Sequence, residues 1–453
     1  MASAAEQLAA NINFSALAKA DELKKRLWFT LGALVVYRLL TFIPLPGINT
    51  EVFLGKFTSS GAGEGIFGMF NMFAGGAIER MAIGALNIMP YISASIIVQL
   101  LTSVMPTLEA LKKEGESGRK IINQYTRYLT VVLAVFQSWG IAVGLQNAGG
   151  DVVFNPGVMF MLSTVITLTG GTLFIMWLGE QITSRGIGNG TSLIIMCGIV
   201  ANLPNAISQL MNLGWTQGRT GAVLGIMAMA AAIVIFVVFM ERSQRRIPIQ
   251  YPKQQVGNRV MQGGSSFLPL KLNMSGVIPP IFASSLLMLP ATFSSFSVGA
   301  QLGETEGFAG WISMLTIYLA HGRPAYVVLY MSLIIFFTFF YTAVVFNPKE
   351  TADNLKKHGA FIQGIRPGEK TADFIDHVLS RLTVVGAAYL CAVCLLPEFM
   401  IASISGMPFY LGGTSLLIVV SVTMDTVAQV QGYLVQNQYE GLIKKTKLRG
   451  ARR

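Results

Sequence analysis

Apolar residues in this chain gather in ten long runs, near 27–45, 76–105, 122–145, 156–179, 190–211, 220–240, 273–297, 324–346, 379–401 and 408–432. A helix that crosses a bilayer needs roughly 20 mostly apolar residues, so each run predicts one membrane-spanning helix. The polar intervals between them are unequal. Two of them, 241–272 and 347–378, extend to about 30 residues, far beyond the usual connection of about 4 to 6.

The positive charges fall on alternate intervals. They cluster up to Arg26, from Lys112 to Arg127, at Arg185, from Arg242 to Lys271, from Lys349 to Arg381 and from Lys444 to Arg453. Only Arg38, Lys56, Arg80, Arg219 and Arg323 remain for the opposite side or for helix ends. Loops rich in Lys and Arg stay cytoplasmic, which places both termini inside and agrees with an even number of crossings. Composition then excludes a soluble chain, with 53% hydrophobic and 12% charged residues. The net charge of +11 therefore reports topology before it reports a nucleic-acid partner. The segment before Arg26 has no short apolar core followed by a small-residue cleavage site, so the first helix is expected to serve as the membrane signal.

An internal echo refines the fold. Pro90-Tyr91-Ile92-Ser93-Ala94-Ser95-Ile96-Ile97 matches Pro280-Ile281-Phe282-Ala283-Ser284-Ser285-Leu286-Leu287 in residue class at each position. The two lie five runs apart, so they cross in opposite directions, as in an inverted-topology repeat with a substrate path between its halves. Proline early in each helix favours a break or kink there. Neighbouring Ser and Ala let helices approach closely or slide. The expected organisation is an N-terminal segment 1–26, a first half 27–218, a second half 219–432 and a basic tail 433–453.

Catalytic chemistry is absent from the pattern. There is no Walker A sequence, no H-E-x-x-H and no G-x-S-x-G, and the three histidines, His321, His358 and His377, fall in or beside loops. Cys197, Cys391 and Cys394 all lie in apolar runs. The C-x-x-C formed by the last two has no second ligand pair, so neither metal nor cofactor is expected. Gly186-Ile187-Gly188-Asn189-Gly190 lacks the preceding strand of a dinucleotide fold and reads as a flexible turn. Of the candidate membrane acids Glu79, Glu180, Glu398 and Asp425, only Asp425 is expected well inside a helix. Ion-coupled transporters rely on such residues, and their scarcity points to a mostly uncharged path.

Further stretches carry a resemblance. These are Gly68-Met69-Phe70-Asn71-Met72-Phe73-Ala74-Gly75-Gly76, Ile88-Met89-Pro90-Tyr91-Ile92-Ser93-Ala94-Ser95, the 186–190 turn, Asn273-Met274-Ser275-Gly276-Val277-Ile278-Pro279, Gly364-Ile365-Arg366-Pro367-Gly368-Glu369 and Gly412-Gly413-Thr414-Ser415-Leu416-Leu417-Ile418. In content and order the chain resembles the SecY family of protein-conducting channel subunits. The resemblance implies an all-α polytopic membrane protein, its ten transmembrane helices forming two inverted five-helix halves around an hourglass pore. It implies a pore ring of Ile88, Ile92, Ile195, Ile199, Ile278 and Ile418, since an apolar constriction resists wetting and blocks ions.

By the same resemblance, residues 66–76 form a plug, with bulk from Phe67, Phe70, Met72 and Phe73, the polar Asn71, and a hinge at Gly75 and Gly76. Ser93, Asn273 and Ser284 mark a lateral gate. Arg242, Arg245, Arg246, Lys253, Arg259, Lys356, Lys357, Arg366 and Lys370 on the two long loops dock the motor ATPase SecA and the ribosome, Arg366 foremost. SecE and SecG are the implied membrane partners. Unfolded polypeptides and signal sequences are the implied cargo, membrane lipid their lateral exit, and the bacterial inner membrane the location. The chain itself would be no enzyme, with energy coming from SecA, the ribosome and the membrane potential. From the residues alone, an inverted-repeat secondary transporter or flippase remains an alternative, and so does a receptor or scaffold.

Overall fold

The structure is a computed structural model, and it describes residues 20–59, 71–147, 152–216, 220–251, 254–256, 259–261, 264–287, 324–403 and 413–450. The first helix, α1 (Asp21–Leu40), opens on Asp21 and Glu22 and closes on Arg38, a charge order that complements its dipole. The chain then turns. Segment 43–45 lies antiparallel to 81–83, where the Leu45 amide donates to Met81 and the Ile83 amide to Ile43, both at 2.9 Å. Between them comes α2 (Thr50–Ser59).

The second apolar run is helical over less of its length than its hydropathy predicts. Residues 74–88 are mostly turns, and the helix α3 (Met89–Val104) starts only where Pro90 occupies its first turn. Proline lacks the amide that a first turn leaves unpaired anyway. The expected kink is therefore absent here, and Pro90 initiates the helix. The sharp break comes later. Met105, held extended by the proline after it, separates α3 from α4 (Pro106–Lys113) at 97°.

Long helices follow: α5 (Glu116–Asn147), α6 (Val158–Arg185), α7 (Gly190–Thr216) and α8 (Thr220–Arg242). After the first long loop come α9 (Ile278–Leu287), α10 (Pro324–Val345), α11 (Pro348–Lys357), α12 (Glu369–Ser403) and α13 (Gly413–Gly450). Pro279 and Pro280 again sit in the first turn of their helix, α9.

Among the described residues, seven helices are long and apolar enough to span a bilayer, and eight if α3 with α4 counts as one span. α1 falls outside that number because Lys24, Lys25, Arg26 and Arg38 interrupt its apolar run. Of the seventh run, the described residues include the ten of α9.

The two long loops carry strands that the apolar runs do not announce. The first forms a hairpin of β1 (Gln244–Gln250) and β4 (Ser265–Lys271), with a smaller hairpin of β2 (Gln254–Val256) and β3 (Arg259–Met261) between them. The second supplies β5 (Phe361–Ile362), which pairs with Ile249 and Gln250 of β1 to give the order β4-β1-β5. Ile247, Leu270 and Ile362 from the strands pack with Ile375, Val378 and Leu382 of α12 in a small core of their own. Both basic loops are thus one folded unit seated on α12. The main core is separate and joins buried residues from α1, α3, α6, α7, α9, α10, α12 and α13.

Candidate functional site

Helix α7 orders the centre of the molecule. Thr191, Ser192 and Ile195 on its first turns line a cavity of about 550 Å3. Further along, Gly198 meets the segment entering α3, because a Cβ there would lie 2.8 Å from the Phe73 carbonyl oxygen. Asn202 follows one turn later, its side-chain oxygen 3.4 Å from where a Cβ on Gly76 would be. From Ile195 to Asn202 the helix rises about 10 Å, which separates the cavity from this segment.

Isoleucines fill that interval. Ile88, Ile92, Ile195, Ile199 and Ile418 are all buried in the main core, and Ile278 packs half-buried against it. Ile92, Ile195 and Ile278 also wall the cavity. Four stretches of chain distant in sequence therefore contribute branched apolar side chains to one core, beside the cavity and residues 71–77. All six side chains are uncharged, and an apolar constriction resists wetting.

Residues 71–77, beyond these isoleucines, are held by specific contacts. Met72, Phe73, Ala74 and Ala77 are buried in the main core. Gly75 adopts φ +68°, a left-handed conformation that side chains disfavour. Its carbonyl accepts a 2.7 Å bond from Arg38 Nη1. Asn87 Nδ2 donates to the Phe73 carbonyl at 2.6 Å. Asn71 bonds the Glu79 amide at 3.1 Å and a Glu79 carboxylate oxygen at 3.3 Å. Phe67 and Phe70 lie outside the described residues.

The cavity itself has two faces. Ile281, Phe282 and Tyr341 from α9 and α10 add to its apolar side, opposite Gln99, Asn123, Arg127, Glu180, Thr183 and Asn189. Arg127 grips Glu180 through two bonds of 2.8 and 2.7 Å. This neutralised pair was not visible in the sequence, where the two residues stand in different helices 53 positions apart. Ser93 and Ser284 are buried in packing rather than lining the cavity, where Ser95 and Ile281 stand instead. The Ser284 and Ser285 hydroxyls both donate back to the Ile281 carbonyl at 2.9 and 2.8 Å. Their helix therefore offers neighbours a small surface with no free donor. Asn273 is tied by Nδ2 to Glu241 at 2.9 Å and to the Gly276 carbonyl at 3.1 Å. Glu241, one residue past the sixth apolar run, escaped the sequence-based list of acids.

One expectation changes. Residues 186–190 are not a flexible turn. Ile187 is buried, its amide donates to Thr30 at 3.1 Å, the Gly188 amide to Gln429 at 2.8 Å and the Gly190 amide to Thr183 at 2.9 Å. The glycines are there because α1, α6, α7 and α13 meet at this point. Asp425 lies well inside α13, as expected. It is exposed and stands 3.8 Å from Lys271 at the base of the sheet, bordering a second cavity of about 750 Å3 with Glu241, Arg242 and Arg246.

The basic residues of the long loops face outward. Arg242 at the end of α8 and Arg245 and Arg246 in β1 are exposed, as are Lys356 and Lys357 on α11, Arg366 after β5 and Lys370 in α12. Arg366 sits on a turn between Gly364 at φ +83° and Gly368 at φ +109°, and its carbonyl accepts from Thr371 at 2.9 Å. Arg259 contributes backbone to β3, while Lys253 lies outside the described residues.

Comparison with known proteins adds a lineage to this geometry. The family model SecY matches residues 82–427. The protein translocase subunit SecY of Escherichia coli strain K12 is 56% identical over 436 residues, covering 95% of this chain and 96% of its own. Its Vibrio cholerae counterpart is 54% identical over 441 residues, covering 96% and 97%. Among solved structures, one of a protein-conducting channel superposes with a TM-score of 0.61 at 18% identity, covering 91% of this chain and 92% of that one. Another, concerned with the plug domain of the SecY protein, gives 0.60 at 19% identity over the same shares. At that identity the structural likeness speaks to fold.

Proposed function

Since this chain belongs to the SecY family, we propose that it is the protein-conducting subunit of a membrane translocase. It passes unfolded secretory polypeptides across the bilayer and releases signal or transmembrane segments sideways into lipid. The observation that carries this reading is the set of isoleucines from four distant stretches of chain, sharing one core beside the cavity and the packed 71–77 segment. An apolar ring blocks ions when empty and, having no charge of its own, accepts any passing sequence.

In this reading ten helices cross the bacterial inner membrane in two inverted halves with both termini in the cytoplasm. Residues 66–76 are the plug, and the cavity between α3, α9 and α10 is the inner side of the lateral gate near Ser93, Asn273 and Ser284. The folded basic unit of β1, β4 and β5 faces the cytoplasm, where Arg242, Arg245, Arg246, Lys253, Arg259, Lys356, Lys357, Arg366 and Lys370 receive SecA or the ribosome. SecE and SecG complete the heterotrimer. The chain performs no covalent chemistry and draws energy from SecA, the ribosome and the membrane potential. The pairing of Glu180 with Arg127 and the exposure of Asp425 favour a channel over an ion-coupled transporter or flippase.

Translocation of a labelled secretory precursor into proteoliposomes tests the proposal, with SecE, SecG, SecA and ATP supplied. Wild type protects the precursor from protease, and Arg366→Glu loses most of that protection. A well-folded wild-type complex that protects none returns the chain to the transporter class.

A further inference from the structure

Two of the few cations on the side opposite the basic sheet converge on one aromatic ring. The Arg38 guanidinium carbon lies 5.0 Å from the centre of the Phe42 ring, and that of Arg80 lies 4.3 Å from it. The pairing of segments 43–45 and 81–83 brings these residues together from the end of α1 and the turn before α3. Arg38 spends one nitrogen on the Gly75 carbonyl. Arg80 Nη1 is buried without a hydrogen-bond partner.

Neither guanidinium has a carboxylate within ion-pair distance among the described residues. Glu79, the acid next to Arg80 in sequence, is engaged with Asn71. A ring attracts each cation but does not cancel their mutual repulsion. An unpaired donor and two partly buried like charges set this close together are unfavourable unless something negative completes the group. Positive charge is also disfavoured on this side of the membrane, so its concentration at one point calls for a counter-charge.

The surroundings identify the anion. Phe42 is 52% exposed, and Leu31, Val35 and Leu39 continue its exposed face along α1 at helical spacing. This stripe of apolar surface leads straight to the two guanidiniums. Paired guanidiniums match the oxygens of a phosphate, and the stripe suits acyl chains. We propose that Arg38 and Arg80, stacked on Phe42, bind the phosphate of an anionic phospholipid in the leaflet opposite the basic sheet. The lipid neutralises the pair and, through Arg38, reinforces the bond that holds Gly75.

The test uses the chain purified with its membrane partners in nanodiscs of phosphatidylcholine containing a minor share of phosphatidylglycerol. Native mass spectrometry counts the retained phosphatidylglycerol. Wild type keeps one more than Arg80→Gln, whose affinity is about tenfold weaker, and Arg80→Lys keeps it in part. Equal retention by wild type and a folded Arg80→Gln complex overturns the proposal. Release of that lipid from wild type by soluble inorganic phosphate overturns the lipid assignment in favour of a free anion. A phosphatidylglycerol carrying a photoreactive acyl chain gives a readout on wild type alone: labelling within residues 31–43 supports the site, and labelling confined to other helices rejects it.

Discussion

Gly198 decides how closely the packed 71–77 segment is seated. A methyl group there meets the Phe73 carbonyl at 2.8 Å and the Gly75 amide at 3.3 Å, and both are backbone atoms with no rotamer to yield. Gly198→Ala is therefore expected to displace residues 73–76 at a cost of about 1–3 kcal/mol. Ion flux through resting proteoliposomes should rise, with a lower melting temperature for the complex. Unchanged flux with unchanged stability would mean that the segment sits elsewhere at rest. Arg38 acts on the same point from the other side, since its bond to Gly75 fixes a left-handed residue that has no side chain to anchor it. Neither contact was legible in the sequence. Gly198 is one of 47 glycines and Arg38 one of 33 cations, and only the fold brings them to the same turn.

The elements were legible in proportion to how much lipid dictates them. Apolar runs announced the long helices because every backbone group in hydrocarbon has to be satisfied within its own helix. Hydropathy misleads where an apolar stretch is buried in protein instead. Residues 76–88 read as helix by hydropathy, yet Gly75, Gly76, Gly84 and Asn87 favour turns, and Pro90 sets the true start. The sheet was missed for a different reason. In β1 the buried Ile247 and Ile249 alternate with exposed Arg246 and Pro248, a period of two that signals a half-buried strand. Pro248 argues against a central strand, and the conflict disappears once β5 is seen to pair only with Ile249 and Gln250. Ile247→Asp puts an unpaired carboxylate among Leu270, Ile362 and Ile375, a change that costs several kcal/mol locally. Hydrogen exchange should show β1 and β4 losing protection while α5 and α6 keep theirs. Simultaneous loss in the helices would show that sheet and bundle unfold as one unit.

At the scale of the whole molecule, α7 packs on α13, and Ile195, Ile199 and Ile418 share one buried core with Ile88 and Ile92. Ile418→Asn leaves an amide without partners in that cluster, a cost of about 1–3 kcal/mol, and supplies water with a foothold. Proteoliposomes of the resting complex should then leak ions severalfold faster while still moving precursor. A tight seal in a folded variant would relocate the barrier to the segment beyond. The basic sheet carries a different consequence, one of timing. β4 ends at Lys271 and β5 begins at Phe361, about 90 residues later, and synthesis proceeds at roughly 5–20 residues per second. For about 5 to 18 s the edge of β1 at Ile249 and the apolar face of its hairpin stand uncovered, waiting for a strand not yet made. Each new copy of this chain thus passes through an interval in which its basic sheet still lacks one of its three strands.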